Sequence, residues 1–288
     1  MSDYLTTKEV ADLLRLRERK VYDLASRGEI PCMKATGKLL FPRDELNRWM
    51  ASRGGSAGSS TAIPDVVLGS HDPILEWALG ASGSALPSLM GGSLDGLARF
   101  ERGEGAVCGI HIPDTDGLGW NLETITDRFA DRPVVLINWA LRERGLIIRP
   151  GVPVHNFADL RGARVVRRQT DSGTHQLFEK QLAEAGLALA DIECIREART
   201  ETEAALTLVE GQADVTFGLR CFAERYGLNF IATCTESFDL LIDRHGYFEP
   251  PVQRLLHFAG TTEFASEAER YAGYDVSTLG TVRFNGRT

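Results

Sequence analysis

From residue 63 to the end of the chain, short apolar runs alternate with polar turns and with amphipathic stretches of helical length. The clearest apolar runs, at 65–69, 86–90, 106–112 and 213–217, are typical of buried strands. Helical patterns follow most of these runs. Such alternation predicts an α/β fold in which helices cover both faces of parallel sheets.

Two segments of this region have a less regular pattern. The apolar runs between 133 and 148 are interrupted at Trp139–Ala140–Leu141–Arg142. Further on, 230–232 and 238–242 indicate two separate short strands, and a helical tail is predicted after Pro251.

Hydroxyl side chains mark four junctions between a predicted strand and the next helix. The clearest junction lies in the stretch 164–182, where a buried strand leads into Asp171–Ser172–Gly173–Thr174 and a helix. Glycine allows the backbone to approach a ligand closely, and the free N–H groups at a helix start attract anions. Taken alone, such a turn is an ordinary helix cap. The other three junctions carry Ser70, Ser93, and Thr200 with Thr202.

Two of the four junctions fall in each half of the region from residue 63 onward. A two-lobed protein with a central cleft would bring all four together around one small ligand. Several hydroxyls and helix N–H groups, with few formal positive charges, suit an oxyanion. His71 is either a hydrogen-bond donor to the ligand or a helix cap. A metal site at His71 and His111 would need carboxylates within reach, so none is predicted.

The first 53 residues have a different pattern. Thr6 or Thr7 caps one helix, a second runs from Glu18 to Arg27, and 30–41 reads as two short strands joined at 36–38. Pro42 then opens a further helix. This order predicts a winged helix-turn-helix, with a small helical oligomerisation module as the alternative. The side chains placed to contact DNA are Arg17, Arg19, Lys20, Tyr22, Lys38 and Arg43.

The charge distribution separates this first segment from the rest of the chain. The net charge of −8 is the sum of +3 in residues 1–53 and −11 in the remainder. A basic segment on an acidic body suggests that only the basic segment approaches DNA. Between the two, a Gly-, Ser- and Ala-rich stretch predicts a flexible linker at 54–62. The predicted domains are therefore 1–53 and 63–288.

Several classes of protein do not fit the sequence. No apolar run is long enough to span a bilayer, and the N-terminus has no signal-peptide pattern. Five scattered cysteines without a CxxC pair favour reduced thiols in the cytoplasm. No nucleophile–base arrangement, Walker motif or dinucleotide fingerprint is present, so we expect neither an enzyme nor a cofactor.

The N-terminal segment resembles the excisionase-type DNA-binding domain, which is related to the MerR regulators. The residues that carry the resemblance are Leu5–Ala11, Val21–Tyr22, Gly28–Pro31 and Phe41–Leu46. It covers about 50 residues and implies a winged helix-turn-helix that binds double-stranded DNA.

The body resembles the periplasmic-binding-protein-like domain of molybdate-binding type that is fused to bacterial helix-turn-helix domains. The matching motifs are VLGSHDPILEWAL, GSLDGLARFERGEGAVCGIHIPD, RRQTDSGT, VEGQADVTFGLR and YGLNFIATCTESFDLLI. The resemblance implies a two-lobed type II fold, with lobe one at about 63–150 and 240–288 and lobe two at about 151–239. It also implies that molybdate or tungstate is the ligand.

The chain departs from that family pattern at the Ser-Gly-Thr junction. Asp171 places a carboxylate beside the anion site, and His175 stands where relatives often have arginine. A dianion next to Asp171 requires that this carboxylate point away or be neutralised by Arg168 or Arg220. A neutral or zwitterionic ligand is therefore an alternative.

Together these features predict a cytoplasmic, ligand-responsive transcription regulator. A homodimer is expected, because one small DNA-binding domain reads too few base pairs to be selective. Closure of the cleft on its ligand would shift the protein between DNA-binding and released states. The alternatives are a cytoplasmic oxyanion storage or delivery protein and a regulator of a different small molecule.

Overall fold

The computed structural model describes residues 4–14, 16–35, 37–43, 45–46, 49, 63–115, 119–170 and 172–287. The chain divides into two compact units, Met1–Ala62 and Ile63–Thr288, which we name the head and the body. The predicted linker 54–62 lies outside the described residues.

The head combines two helices with a small antiparallel sheet. Its elements are β1 (Tyr4–Thr6), α1 (Thr7–Leu14), α2 (Glu18–Ser26), β2 (Met33–Ala35) and β3 (Lys38–Pro42). The strand order is β1–β3–β2, and helical backbone resumes at Arg43. The two strands of the hairpin were predicted, whereas β1 was not.

The start of α1 confirms the predicted N-terminal cap. The Thr6 backbone N–H donates to the Glu9 carboxylate over 2.8 Å, and the Glu9 N–H donates to the Thr6 hydroxyl over 3.4 Å. This reciprocal pair satisfies two N–H groups that the helix leaves free. The head core is formed by buried Leu5, Val10, Ala11, Val21, Ile30, Phe41 and Leu46.

The body contains one large mixed sheet with helices on both faces. Its first elements are β4 (Val67–Gly69), α3 (Pro73–Ala81), β5 (Ser88–Leu89), α4 (Ser93–Glu101), β6 (Val107–Ile110), α5 (Leu122–Phe129) and β7 (Val134–Ile148). Then follow β8 (Arg164–Arg168), α6 (Gly173–Glu184), β9 (Glu193–Ala198), α7 (Glu201–Val209), β10 (Val215–Leu219), α8 (Arg220–Tyr226) and β11 (Asn229–Asp243).

The C-terminal part begins with helices, as predicted after Pro251, and ends with two strands that were not predicted. These elements are α9 (Arg244–Tyr247), α10 (Pro250–Ala259), α11 (Thr262–Ala268), β12 (Tyr274–Asp275) and β13 (Val282–Asn285). Both strands pair with β7, so the end of the chain returns to the middle of the sheet.

The sheet is parallel at both ends and antiparallel in the middle, which corrects the prediction of parallel sheets. Its order is β5–β4–β6–β11–β7–β10–β8–β9. The outer strands on each side pair in parallel, whereas β11 and β7 are antiparallel to each other and to their neighbours. The two 15-residue strands β7 and β11 are therefore the only segments of the path that join the two parallel halves.

Two sequence readings of this central pair were wrong. Trp139–Arg142 does not interrupt a strand but lies within β7, and 230–232 and 238–242 belong to the single strand β11. Charged residues in the middle of each strand made the strands look interrupted in the sequence. In the structure, Arg142 and Glu236 lie opposite each other as a buried cross-strand pair.

Each half of the sheet has its own core on both faces, so the body has two lobes. In lobe one, Trp139, Phe238 and Leu240 pack against α3 and α10, while Leu136 and Leu241 pack against α4 and α5. In lobe two, one hydrophobic cluster forms around Phe178 and Phe217 and a second around Leu208 and Phe222. The strand residues Leu146–Ile148 and Val165–Val166 contribute to these two clusters.

The lobes change within β7 and β11. Leu146 and Ile148 at the end of β7 pack with Phe178 and Phe217 in lobe two. Phe238 on β11 packs in the core of lobe one. The predicted lobe limits, at about 150 and 239, stay predictions.

Candidate functional site

Two helices, α4 of lobe one and α6 of lobe two, each begin with a residue that lies against His111. Ser93 begins α4 after Gly92, which makes no side-chain cap bond. The Ser93 hydroxyl lies 2.8 Å from the Ser70 hydroxyl and accepts the His111 backbone N–H over 3.1 Å. All three residues are buried. This arrangement combines two hydroxyls with the free N–H groups of α4.

The opposing helix is α6, and its first residues touch lobe one directly. Ser172 is its N-cap, accepting the His175 N–H over 3.1 Å and donating to the Gln169 carbonyl over 2.7 Å. A Cβ added to Gly173 would lie 2.4 Å from the His111 carbonyl oxygen. Only glycine therefore permits this approach. The contact brings the N-terminus of α6, with the buried Thr174, close to the residue that binds Ser93.

The helices at the other two junctions are capped by a carboxylate in one case and by a hydroxyl in the other. Asp72, rather than Ser70, caps α3 by accepting the Leu75 N–H over 2.7 Å. Thr200 caps α7, and the next residue, Glu201, is buried at its first turn. Thr202 is half-buried. Of the four helices, α6 has a hydroxyl cap and no acidic residue in its first turn, whereas α4 has Asp95 in its first turn.

Beneath these N-termini lies a cluster of buried charges that was missed in the sequence. We name Asp72, Arg142, Arg144, Glu201 and Glu236 the charged floor. Arg144 binds Glu236 through two hydrogen bonds of 2.8 and 2.9 Å and Glu201 through one of 2.9 Å. Arg142 binds Asp72 over 2.9 Å and also donates to Glu236.

Further contacts tie the charged floor to both lobes. The Tyr274 hydroxyl donates to Asp72 over 2.7 Å, and His111 Nδ1 lies 3.1 Å from the Glu236 carboxylate. The His111 ring stacks on Phe238 with centroids 6.1 Å apart, and the Arg142 guanidinium lies 4.3 Å from the centroid of the same phenyl ring. The floor is thus continuous with the contact between His111 and Gly173.

Two carboxyl groups of the charged floor, Glu236 and Glu201, favour their ionised forms. Burial alone would raise the pKa of the Glu236 carboxyl, but Arg142, Arg144 and His111 hold it well below its ordinary value. The pKa of Glu201 is lowered in the same way, since Arg144 and Arg168 outweigh the effect of burial. Burial lowers the pKa of His111 more than Glu236 raises it, so this ring favours the neutral form.

The remaining predicted ligand residues lie around this site with partners of their own. His71 Nε2 lies 2.9 Å from the Glu76 carboxylate. Arg168 donates to the Ala198 and Arg199 carbonyls and lies 3.5 Å from Glu201. Arg220 pairs with Glu143 over 2.8 Å, and its side chain is 42% exposed. Asp171 lies outside the described residues, so its predicted neutralisation stays a prediction.

One signal in the sequence points to the missed residues. Arg142 and Arg144 occupy alternate positions of β7 between apolar runs, and Glu236 precedes an apolar run of the neighbouring strand β11. Charged side chains at such positions are rarely buried unless they are paired. The partner of each residue, however, lies between 57 and 94 positions away in the chain, and periodicity carries no information about it.

The head has a cavity of about 750 Å³ between α2 and the hairpin β2–β3. Its lining includes the predicted Tyr22 and Lys38, together with Lys8 and Lys34, which were not predicted to contact DNA. Arg17, Arg19 and Lys20 are exposed at the start of α2 without lining this cavity, and Arg43 is half-buried.

Comparisons with known proteins agree with both units. A family model described as a helix-turn-helix domain matches residues 4–54. A second, described as a PBP superfamily domain, matches residues 78–260. The chain belongs to the PBP superfamily. The predicted fusion of an excisionase-type helix-turn-helix to a PBP-like domain is therefore confirmed, as is the α/β fold class.

Several known proteins are similar to this chain at low sequence identity. YvgK of Bacillus subtilis (strain 168) is 23% identical over 299 residues, which cover 96% of each chain. A Clostridium perfringens protein, named as a substrate-binding protein of a phosphate ABC transporter and solved with phosphate bound, has a TM-score of 0.54 at 12% identity. The tungstate ABC transporter structure from Geobacter sulfurreducens has a TM-score of 0.50 at 14% identity. Each of these two matches covers 72% of the present chain and 97% of the chain in the solved structure.

No helix among the described residues of this PBP-superfamily protein combines the length and the apolar character needed to cross a membrane.

Proposed function

We propose that this protein is a cytoplasmic transcription regulator whose body binds a small oxyanion, molybdate or tungstate, and whose head binds double-stranded DNA. The observation that carries the proposal is the meeting of the N-termini of α4 and α6 at the contact between Gly173 and His111. Such N-termini attract anions, because their N–H groups have no partner within the helix.

The hydrogen-bonding groups at this point support an oxyanion. Ser70, Ser93 and Thr174 are buried beside the two N-termini and supply hydroxyls from both lobes. A tetrahedral oxyanion presents acceptor oxygens in every direction, so both lobes can bind it at once. The fold is shared with proteins whose names refer to phosphate and tungstate, which is consistent with this ligand class.

The presence of a helix-turn-helix head and a PBP-like body in one chain supports regulation rather than storage. A ligand that contacts both lobes stabilises the closed body, and a difference in ligand affinity between states shifts their populations. A homodimer would place two heads on one operator, as selective binding by small helix-turn-helix domains requires. We expect no catalytic activity and no bound cofactor, so the oxyanion acts as an effector.

Isothermal titration of molybdate, tungstate and sulfate into the full chain tests the ligand. We expect tight binding of molybdate or tungstate, and we expect Ser93→Ala and Thr174→Ala each to weaken it by roughly tenfold. This is the effect of removing one hydrogen bond to a charged group, on the order of 1.5–3 kcal/mol. Thr261→Ala, which removes the N-cap hydroxyl of α11, is the matched control and should leave affinity unchanged.

The regulatory part is tested by fluorescence anisotropy of the same protein on DNA from upstream of its own gene, with and without tungstate. A change in DNA affinity that Ser93→Ala abolishes supports the proposal. Oxyanion binding without any DNA affinity would favour storage or delivery. Absence of oxyanion binding would redirect attention to a zwitterionic or neutral ligand, which the charged floor could also accommodate.

A further inference from the structure

The charged floor contains as many carboxylates as guanidinium groups once Arg168 is included. Arg142, Arg144 and Arg168 face Asp72, Glu201 and Glu236 at distances of 3.5 Å or less. The five residues of the charged floor are at most 5% exposed. The formal charges of the charged floor and Arg168 therefore sum to zero.

Glu236 is the central carboxylate of this cluster. It accepts hydrogen bonds from Arg142 and from Arg144, and His111 Nδ1 lies 3.1 Å from it. No other acid of the charged floor contacts both arginines. It is held in place by the strand pair itself, since Glu236 on β11 lies directly opposite Arg142 on β7.

A single residue, His111, separates Glu236 from the N-termini of α4 and α6. The same His111 that contacts Glu236 through Nδ1 donates its backbone N–H to Ser93 and touches Gly173. A charge at this distance acts through a dry interior, where its effect on a ligand is far larger than in water. The effect is proportional to the ligand charge, so it is twice as large for a dianion as for a monoanion.

We propose that Glu236 is a specificity-determining residue that sets the charge of the oxyanion that the cleft accepts. This inference rests on the proposed function. By cancelling one of the arginine charges, Glu236 leaves recognition to the hydroxyls and helix N–H groups. Dianions then gain little over monoanions of the same shape. Without this carboxylate, the charged floor and Arg168 together carry a net positive charge and favour the dianion.

Tungstate and perrhenate are suitable probes, because both are tetrahedral oxyanions of similar size and differ by one unit of charge. Isothermal titration of both ions into the full chain gives the ratio of the perrhenate Kd to the tungstate Kd. In Glu236→Gln, which is isosteric and neutral, we expect this ratio to rise roughly tenfold above that of the wild type. A purely structural role would change both dissociation constants by the same factor and leave the ratio unchanged.

Glu143→Gln is the matched control. Glu143 also lies on β7 and also pairs with an arginine, Arg220, but it is half-buried and outside the charged floor. Its ratio should equal that of the wild type. If loss of the buried charge prevents Glu236→Gln from folding, as circular dichroism would show, Glu201→Gln removes a second floor carboxylate and should raise the ratio in the same direction.

The outcomes separate the inference from the proposed function. Binding of both ions with a ratio that neither Glu236→Gln nor Glu201→Gln changes would overturn the role of Glu236 and leave the oxyanion proposal intact. Failure of the wild type to bind either ion would overturn both. A rise in the ratio in these variants, and not in Glu143→Gln, supports the inference.

Discussion

The guanidinium groups of Arg142 and Arg144 are fixed by ion pairs within the protein. Each guanidinium binds two carboxylates that come from different elements of the fold. Removing one partner of a buried pair leaves an uncompensated charge, at a cost of about 3–5 kcal/mol. In the proposed function we therefore expect the ligand to be recognised by hydroxyls and helix N–H groups around the charged floor.

Gly173 gives the sharpest prediction at the scale of one residue. In Gly173→Ala the new methyl group would lie 2.4 Å from the His111 carbonyl oxygen, so the lobes cannot approach as closely. We expect tungstate affinity to fall roughly tenfold or more, the cost of an overpacked contact. The measurement is isothermal titration, with small-angle scattering to follow closure.

The control for this substitution is Gly80→Ala. Gly80 lies inside α3, and a Cβ there meets nothing within 4 Å, so ligand affinity should not change. Alanine also favours helix formation at both sites. Wild-type affinity in Gly173→Ala would show that the approach of α6 to His111 is not required for binding.

At the scale of elements, β7 and β11 determine how the two lobes are connected. Both strands run without a break through lobe one, the charged floor and lobe two. Register shifts in their pairing occur at Ala232/Cys234 and at Phe238/Asp239, on either side of Glu236. Bulges of this kind bend a strand and increase its twist, which allows one sheet to serve two cores.

The backbones of β7 and β11 approach each other closely at Gly145. A Cβ at Gly145 would lie 1.9 Å from the Ile231 carbonyl oxygen, which belongs to the backbone of β11. We expect Gly145→Ala to lower the free energy of unfolding of the body by about 1–3 kcal/mol, because the strands must move apart. Urea unfolding followed by circular dichroism measures this change.

The control is Gly260→Ala at the end of α10, where the nearest atom to the added Cβ would be 3.5 Å away. Its free energy of unfolding should match that of the wild type. An equally small change in Gly145→Ala would mean that β7 and β11 can separate at this point without loss of stability.

At the scale of the whole molecule, the head and the body have opposite net charges. The basic head lies on the same chain as an acidic body, and the cavity between α2 and the hairpin is lined by Lys8, Lys34 and Lys38. Phosphate contacts by such side chains release counterions from DNA and make affinity depend on salt. The acidic body has no comparable attraction for DNA.

Lys34→Ala and Lys38→Ala should each reduce the slope of log affinity against log salt concentration by about 1, and should do so for any DNA sequence. Fluorescence anisotropy over a series of salt concentrations measures this slope. Arg27→Ala, which changes an exposed head residue outside the cavity lining, is the control. An unaltered slope in both lysine variants would exclude this hairpin from the DNA interface.

The sequence by itself determined the features that depend on neighbours a few positions apart. The cap at Thr6 and Glu9, the alternation of strands and helices from residue 63, and the N-cap at Ser172 follow from local turn chemistry and periodicity. The family motifs added the helix-turn-helix and the PBP-like fold, which the comparisons confirmed.

Only the tertiary structure decided which of the predicted groups meet. It assigned the cap of α3 to Asp72 rather than Ser70, and it brought Gly173 against His111. It also joined Arg142 to Asp72 across 70 positions of the chain. The physical reason is that pairing of buried charges and contact between lobes depend on the packing of distant segments, which local patterns do not specify.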